Sequence, residues 1–390
     1  MVDINSFTAN PAGVDELGRL TAAAFQPLDF EADFVPSDTD NFGHHLFLLR
    51  KGRTPHTITF VSHLDTVFPS EEEERNHFHW LREGDRIYGP GVVDIKGGTV
   101  MIHMILSAIR VVAPETFEDI TWRVFLNAAE EDLAPNFSRT ARKIVSEDRT
   151  LACLVFEGGR RTDAKYSLVT ARKGRAVFHV RAEGRGAHAG SQHPRGVNAV
   201  VQIARTIGEI AALTDYSQDL TFNVGTVSGG TVVNRVPHRA EASIEMRAFS
   251  SQAYERGKRA ILALDGKPSI SSPADGRPCG ITVELCEETG PWPPQEATAA
   301  LFRLWNSAAL EMGLTLEAEH RGGLSDGNYF WDLVPTIDGL GPVGDHAHCS
   351  ERSTDGSKVP EYLELSSLVP KATLNTLAIL KLAAGTKGSP

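Results

Sequence analysis

The sequence predicts an α/β protein in which a mixed-sheet domain is interrupted by an inserted ferredoxin-like α+β domain. Several apolar runs have the length of buried strands, and each is followed by a histidine or an acidic residue. After Lys173 the pattern changes to alternating strands and two helices, in the order β-α-β-β-α-β over about 115 residues. Helical periodicity returns near the C-terminus. We therefore expect a discontinuous first domain, residues 1–172 and 289–390, and an inserted domain, residues 173–288.

The composition is that of a globular protein with small-molecule partners. The chain has 390 residues, of which 41% are hydrophobic, enough for the cores of two domains. Its net charge of −11 argues against nucleic acid or an anionic membrane surface as partner, because either normally requires a basic face. The sequence contains no run of about 18 apolar residues, the length that a transmembrane helix requires. We expect no nucleic-acid partner and no membrane partner.

The four cysteines have no CxxC spacing, so they indicate neither a zinc knuckle nor a disulfide framework. Reduced thiols are typical of the cytoplasm. The N-terminal residues lack the basic and apolar regions of a signal peptide. We therefore expect a cytoplasmic protein.

The first candidate site residues follow an early strand. A helix is predicted over Val14–Phe25 and strands over His45–Leu49 and Thr57–Ser62. The second strand continues directly into His63, and Asp65 comes two residues later. Since side chains of a strand alternate with a period of two, His63 and Asp65 are expected on one face. Asp65 can then accept a hydrogen bond from one imidazole nitrogen while the other binds a metal.

A glycine-rich turn, YGPGVVDIKGG at 88–98, precedes a predicted helix over Thr99–Val112. The turn has the glycines of a phosphate cradle but lacks the GK[ST] of a P-loop. It contains Asp94, whose carboxylate would repel phosphate and is better suited to bind a cation. Before this turn, the acidic run Glu71–Glu74 is predicted to be a solvated loop.

Two further strands end in acidic residues. The apolar run that starts at Ile120 ends in the adjacent pair Glu130 and Glu131, and the run Leu151–Phe156 is followed by Glu157. Ligands of open α/β sheets bind at the carboxyl ends of the strands, so these carboxylates are expected to converge there. The two adjacent glutamates point in different directions as the chain turns. One can therefore bind a metal while the other transfers a proton.

The inserted domain is predicted from strands at Arg175–Ala182, Leu220–Ser228, Glu241–Ala248 and Ile281–Glu287 and from helices at Gly196–Leu213 and Ser251–Leu264. Its turn GRGAHAG, residues 184–190, matches the fingerprint of dinucleotide-binding proteins. An acidic residue at a strand end about 20 positions later is missing, so an NAD-dependent oxidoreductase is a minor alternative.

The last segment returns to the first domain, with a predicted helix over Glu296–Met312, the loop GGLSDGN at 322–328, a short strand over Thr336–Leu340 and a final helix over Tyr362–Ala384. Between the short strand and the final helix lie His346 and the candidate site residue His348.

Together these features resemble the M20 family of zinc metallopeptidases and deacylases, and among its branches the carboxypeptidase G2 (glutamate carboxypeptidase) type. The resemblance is carried by FVSHLDTV, YGPGVVDIKGG, the glutamate pair and GRGAHAG, and it extends over nearly the whole chain. It implies a zinc-exopeptidase-like catalytic domain with an inserted lid and dimerisation domain.

The resemblance implies two zinc ions per chain. Their ligands would be Asp94 as the bridge, His63 and Glu157 at one ion, and Glu131 and His348 at the other. Asp65 would orient His63, and Glu130 would be the general base for a water that bridges the metals. Mixed imidazole and carboxylate ligands suit Zn²⁺, with Co²⁺ or Mn²⁺ as plausible substitutes.

The resemblance also implies roles for the inserted domain and for the loop at 322–328. His188 would reach the active site of the partner subunit and stabilise the oxyanion, so the enzyme would work as a homodimer joined through its lids. Asn234 and Arg247 would bind the terminal carboxylate of the substrate, for which the planar guanidinium is well shaped. Gly323 and Ser325 would complete the substrate contacts.

Two departures from the family pattern concern the ligand and the substrate. The final motif of the family runs from the histidine ligand to an acidic pair, whereas His348 is followed by Cys-Ser-Glu-Arg-Ser. We prefer His348 to His346 because His348 keeps the spacing to Glu351. Leu324 stands where some branches have threonine, which puts a desuccinylase-like carboxylate contact in doubt.

These features predict a dinuclear zinc amidohydrolase, a carboxypeptidase that hydrolyses the amide bond to a C-terminal, glutamate-like amino acid. The alternative within the enzyme class is an N-acyl amino acid deacylase of the acetylornithine deacetylase or desuccinylase type. The alternative from another class is a catalytically silent member that binds a metal or a ligand. A silent member would be favoured by the loss of a ligand or of the base, and here all six positions are filled.

Overall fold

A computed structural model describes residues 1–132, 135–163 and 165–385. Its strands are β1 Glu31–Val35, β2 His45–Arg50, β3 His56–His63, β4 Leu81–Glu83, β5 Arg86–Tyr88, β6 Thr121–Asn127, β7 Arg149–Val155, β8 Arg160–Thr162, β9 Lys165–Arg172, β10 Gly174–Glu183, β11 Thr221–Gly229, β12 Arg239–Ala248, β13 Gly280–Thr289, β14 Thr315–Arg321, β15 Thr336–Ile337, β16 Gly344–Asp345 and β17 Tyr362–Glu364. Its α-helices are α1 Pro11–Phe25, α2 Ser70–Arg75, α3 Lys96–Val112, α4 Pro114–Asp119, α5 Pro135–Glu147, α6 Ala199–Ala211, α7 Ser251–Leu262, α8 Glu296–Glu311 and α9 Leu365–Ala384.

The chain forms two compact units. The first comprises residues 1–170, 294–320 and the described residues from 325 onwards, and the second comprises residues 171–293 and 321–324. The second unit therefore extends a few residues beyond the predicted 173–288 at both ends, and it takes in part of the loop at 322–328.

The first unit is built on a mixed sheet with the strand order β1–β2–β6–β3–β7–β15. Strands β6, β3, β7 and β15 run parallel, whereas β1 and β2 are antiparallel to their neighbours. Adjacent side chains of β3 face opposite sides: Phe60 belongs to the larger apolar core, and Val61 belongs to a smaller core with Phe137 of α5. Both faces of the parallel strands are thus covered, which explains their continuous apolar runs.

The second unit is a ferredoxin-like α+β domain. Its antiparallel sheet has the order β11–β12–β10–β13, and helices α6 and α7 contribute to its core. Burial alternates strictly along β10 from Gly174 to Ala182, as the period-two pattern of the sequence predicted. The α/β class with an inserted ferredoxin-like domain is confirmed. Because β10 is antiparallel to both of its neighbours, the turn at 184–190 does not belong to the parallel βαβ unit that dinucleotide binding requires.

Two predicted elements were wrong. Tyr362–Glu364, predicted as the start of the last helix, is strand β17, which pairs with β5 and β16. Glu71–Glu74, predicted as a solvated loop, lies in the short helix α2, where Glu73 is partly buried and burial raises its pKa. In both places the deciding contacts come from residues distant in the sequence, which local periodicity does not reveal.

Over residues 1–132, 135–163 and 165–385, none of the helices combines the length and apolarity of a membrane span.

Candidate metal centre

The neighbouring parallel strands β6, β3 and β7 bring candidate residues to one edge of the sheet. β3 ends at His63, and Glu157 follows β7 by two residues. The pair Glu130 and Glu131 follows β6 after a short turn. Since the carboxyl ends of parallel strands meet at the same edge, these four side chains converge as the strand endings predicted.

Asp94 lies between two histidines. Its Oδ1 is 3.0 Å from Nε2 of His63, and its Oδ2 is 3.3 Å from Nε2 of His348. His63 Nε2 is also 3.9 Å from Oε1 of Glu157, and His348 Nε2 is 3.2 Å from Oε1 of Glu131. The two oxygens of one carboxylate therefore belong to two clusters, His63–Asp94–Glu157 and Asp94–Glu131–His348, in each of which the possible ligand atoms lie within 4.8 Å of one another.

The tautomer of His63 indicates whether a cation can bind between its ring and the carboxylates of Asp94 and Glu157. Nδ1 of His63 lies 3.0 Å from the carbonyl oxygen of Asp65, which can only accept, so Nδ1 carries a proton. In the neutral ring Nε2 then presents a lone pair to the carboxylates of Asp94 and Glu157. Acceptors face each other at this distance only when a proton or a cation lies between them. The donor set of imidazole nitrogen and carboxylate oxygen is the one that zinc takes.

Without a cation, protonation of the two histidines balances the negative charge of the carboxylates in this cluster. Hydrogen bonds to Asp94 and Glu131 raise the pKa of His348 to about 11. Burial lowers the pKa of His63, but hydrogen bonds to Asp65 and Asp94 outweigh it and raise that pKa well above its usual value. Burial also disfavours the Asp94 carboxylate, yet hydrogen bonds from the two histidines lower its pKa. Positive charge is thus strongly favoured at the two positions flanking Asp94.

Glu130 and Glu131 differ in their contacts. Glu131 faces His348, whereas Glu130 belongs to a third cluster with His63 and Glu131. Burial raises the pKa of both glutamates, and the charges of Glu157, Glu131 and Asp326 raise that of Glu130 further, against the opposing charge of His63. Glu130 lies outside the two clusters that share Asp94, so its carboxylate is available to transfer protons.

Asp65 fixes the backbone of the glutamate pair. Its Oδ1 accepts the backbone N–H of Glu130 at 3.0 Å, and its Oδ2 accepts that of Glu131 at 3.2 Å and the hydroxyl of Thr8 at 2.8 Å. Its carboxylate is 3.4 Å from His63 Nδ1, farther than its own carbonyl oxygen. Asp65 therefore orients His63 mainly through its backbone, while its carboxylate holds the two glutamates.

Four predicted substrate or catalytic residues lie in the second unit, namely His188, Asn234, Arg247 and Gly323. Nδ1 of the exposed His188 accepts backbone N–H groups from Gly190 and Ser191 at 3.1 and 3.2 Å, so the neutral ring carries its proton on Nε2. The exposed Asn234 accepts the N–H of Ala189 through its backbone carbonyl oxygen, which places it beside His188. A neutral imidazole that donates from Nε2 is suited to stabilise an oxyanion.

Arg247 and residues of the loop at 322–328 form hydrogen bonds with other residues of the protein. Nε of Arg247 donates to Glu245 at 2.7 Å, and one terminal nitrogen donates to the carbonyl oxygen of Gly322 at 2.9 Å. The carbonyl oxygen of Gly323 accepts from Arg172 at 3.1 Å.

Ser325 is only 2% exposed, and its side chain is already used twice. Its hydroxyl donates to Asp338 at 2.8 Å and accepts the N–H of Gly327 at 3.1 Å. This geometry argues against a substrate contact through the Ser325 hydroxyl.

The sequence patterns missed three buried residues around the cluster. Thr8 donates to Asp65, and Asp326 accepts from Asn127, whose Oδ1 in turn accepts the N–H of Ala129. The third is Glu361, which accepts backbone N–H groups of the turn that carries Asp94. In the sequence, the spacing from His348 indicated Glu351 rather than Glu361. Glu351 is instead exposed and forms an ion pair with Lys358.

The chain is similar to proteins that are named as enzymes. Residues 170–264 match a family described as the peptidase dimerisation domain of M20 proteins. Carboxypeptidase G2 of Pseudomonas sp. (strain RS-16) is 26% identical over 389 residues, covering 99% of this chain and 88% of that protein. A succinyl-diaminopimelate desuccinylase of Nitrosospira multiformis is 22% identical over 330 residues, covering 82% and 81% of the two chains.

The fold is also found among solved structures. The M20 family metallo-carboxypeptidase Sso-CP2 from Sulfolobus solfataricus superposes with a TM-score of 0.69 at 15% identity, covering 98% of this chain and 97% of that one. The resemblance read from the motifs is thereby confirmed: the chain is a homologue of the M20 family metallopeptidases and amidohydrolases.

Proposed function

We propose that the protein is a dinuclear zinc amidohydrolase of the carboxypeptidase type, which releases a C-terminal, glutamate-like amino acid from an N-acyl or peptide substrate. The observation that carries this proposal is the position of Asp94, whose two oxygens face His63 and His348 separately. A carboxylate shared between two ligand sets is suited to hold a pair of metal ions close together.

The proposed ligands are those of the two clusters. His63 and Glu157 would hold one ion, Glu131 and His348 the other, and Asp94 both. When bound, the two ions would polarise the scissile carbonyl and lower the pKa of a water molecule toward neutrality. The cluster fits Zn²⁺ by its ligand types, with Co²⁺ and Mn²⁺ as substitutes.

Glu130 would transfer the proton. Its carboxylate accepts a proton from the attacking water while the water oxygen bonds to the scissile carbonyl carbon. The same proton then passes to the leaving nitrogen as the C–N bond breaks, which yields a carboxylic acid and an amine. Burial raises the pKa of Glu130 and so makes it a stronger base than an exposed glutamate.

The second unit would supply the remaining contacts in a homodimer. The match to a peptidase dimerisation domain supports this assembly. His188, which carries its proton on Nε2, would donate to the oxyanion in the active site of the other subunit. Asn234 and Arg247 would bind the substrate carboxylate, which would replace Glu245 as the partner of the Arg247 guanidinium.

The glutamate specificity is supported by the likeness to carboxypeptidase G2 along almost the whole chain. An N-acyl amino acid deacylase is the second candidate, because the desuccinylase relative also covers most of the chain. Both would act in the cytoplasm. A silent member of the family that binds metal without hydrolysis is the alternative of another class.

Amide hydrolysis by metal-stripped protein, with and without added Zn²⁺, tests the proposal. The substrate panel contains N-acyl amino acids and dipeptides that end in Glu, Asp, Arg, Ala or Leu. Zinc-dependent turnover confined to C-terminal glutamate is expected, and a preference for acetyl or succinyl groups would identify a deacylase. Failure to bind about two zinc ions per chain would refute the dinuclear centre. Two bound ions without any turnover would instead favour the silent member.

A further inference from the structure

Glu361 is a buried acid that binds the turn from which Asp94 projects. The residue is 0% exposed, and its Oε1 accepts the backbone N–H of Val93 at 2.9 Å and that of Asp94 at 3.1 Å. We propose that Glu361 is a positioning residue of the metal centre, which fixes the backbone of Asp94 so that its carboxylate reaches both histidines.

The backbone of Glu361 is hydrogen-bonded to the loop that carries His348. Its N–H donates to the carbonyl oxygen of Cys349 at 2.7 Å, one residue after His348. Strand β17 starts at the next residue, Tyr362, which pairs with Tyr88 at the beginning of the glycine-rich turn. Glu361 therefore connects the segment that carries Asp94 with the segment that carries His348. These two segments are far apart in the sequence.

A buried carboxyl group requires hydrogen-bond partners, because an unsatisfied polar group in the interior is costly. Two amide donors converge on Oε1, and Lys96, itself only 2% exposed, interacts electrostatically with Glu361, although burial raises the pKa of Glu361 to about 8. Oε2 has no hydrogen-bond partner among the residues that the structure describes. The positioning role therefore depends on a single oxygen, which an amide side chain could also supply.

Glu351 offers a matched comparison in the same segment. It is exposed, and its Oε2 accepts from Nζ of Lys358 at 2.7 Å. Exposed ion pairs of this kind contribute little to stability, because water screens them. Substitutions at Glu351 therefore change the charge near His348 without touching the bonds to the Asp94 turn.

This inference rests on the proposed function, because it takes Asp94 and His348 to be metal ligands. The test uses the full-length, metal-stripped protein with Glu361→Met, which has a similar length but no comparable acceptor, and Glu361→Gln, which keeps a carbonyl oxygen. Glu351→Met and Glu351→Gln are the controls. The readouts are Zn²⁺ affinity by calorimetry, the visible spectrum of the Co²⁺ form and the unfolding temperature of the metal-free protein.

We expect Glu361→Met to weaken metal binding by about 10–100-fold and to alter the Co²⁺ spectrum, as loss of a group that orients ligands does. Glu361→Gln should restore most of the affinity, and both Glu351 variants should bind like the wild type. Unchanged affinity in Glu361→Met, or equal losses in the Gln and Met variants, would overturn the inference. If Glu361→Met does not fold, Glu361→Asp is used instead, because the aspartate side chain is too short for its carboxylate to reach both N–H groups. Unchanged metal affinity in Glu361→Asp would overturn the inference as well.

A destabilised core variant separates positioning from general loss of stability. Leu374→Ala removes a fully buried side chain of α9 and is expected to lower the unfolding temperature without weakening metal binding. A loss of metal affinity in Leu374→Ala equal to that in Glu361→Met would refute the positioning role. The proposed function fails separately, if the wild-type protein itself does not bind two ions.

Discussion

The hydroxyl of Thr8 donates a hydrogen bond of 2.8 Å to Oδ2 of Asp65, and both residues are buried. The same oxygen accepts the N–H of Glu131. The N-terminal segment thus takes part in fixing the acid that holds both glutamates of the candidate site.

Thr8→Val should therefore weaken zinc binding. A hydrogen bond to a charged group is worth about 1.5–3 kcal/mol, of which a part acts on the metal site, so we expect a loss of about ten-fold in affinity. Thr21→Val is the control, because Thr21 is also buried but its hydroxyl bonds to Leu17 of its own helix. Competition with a chelator measures both affinities. Equal behaviour of the two variants would contradict a role for Thr8 at the site.

The adjacent glutamates should give opposite results when each is replaced by glutamine. Glu130→Gln removes the proposed base, so hydrolysis should fall by about 10²–10⁴-fold while two zinc ions remain bound. Glu131→Gln weakens a proposed ligand that faces His348, so metal binding itself should decrease. Metal analysis and turnover of the two variants side by side make the comparison. Retained hydrolysis in Glu130→Gln would refute the assignment of the base.

Strand ends could be predicted from the sequence because their signal is local. The apolar runs that end at His63, Glu131 and Glu157 show both a buried strand and its polar end within a few residues. Thr8 and Glu361 could not be found in this way. Thr8 contacts an acid 57 positions away, and Glu361 binds backbone N–H groups of a turn 267 positions away, which no residue type in that turn reveals.

In the inserted domain, too, local patterns could be predicted from the sequence and long-range contacts could not. Period-two burial along β10 followed directly from its alternating residues. The contacts of Arg247 did not, because Glu245 lies on its own strand while Gly322 comes from a segment 75 positions later.

Zinc should stabilise the folded protein measurably. A ligand that binds only the folded state adds about 4 kcal/mol at a thousand-fold excess over its Kd, so the unfolding temperature should rise with added Zn²⁺. In Asp94→Asn the proposed shared ligand is weakened at both clusters, and this rise should be much smaller. Calorimetric scans of wild type and variant with and without Zn²⁺ test this. An equal rise in both proteins would place zinc binding elsewhere.

The metal-free protein should lose stability as the pH rises above neutrality. The pKa of His348 is raised to about 11 by its hydrogen bonds to Asp94 and Glu131, so the folded protein binds this proton more tightly than the unfolded chain does. The resulting stabilisation is complete below about pH 6.5 and is lost as the pH rises toward 11. Urea unfolding of the metal-free protein across this range should show the loss.

His348→Gln should flatten that pH dependence, whereas His346→Gln should not. His346 packs against the ring of Tyr362, with centroids 5.9 Å apart, rather than forming the carboxylate contacts of His348. The pair also decides between the two candidate ligands. A loss of metal affinity in His346→Gln that exceeds the loss in His348→Gln would favour His346.

Mixed dimers test whether His188 serves the other subunit. His188→Ala and Glu130→Ala should each be nearly inactive, because the first lacks the proposed oxyanion donor and the second lacks the proposed base. If His188 acts across the dimer, a mixed dimer holds one site with both defects and one intact site. Random exchange of equal amounts should therefore restore about a quarter of the wild-type activity. If His188 acted within its own subunit, every site would keep one defect and mixing would restore nothing. The control mixes His188→Ala with the double variant, which leaves a defect in every site under either arrangement, so recovery there would point to an impurity rather than to shared sites.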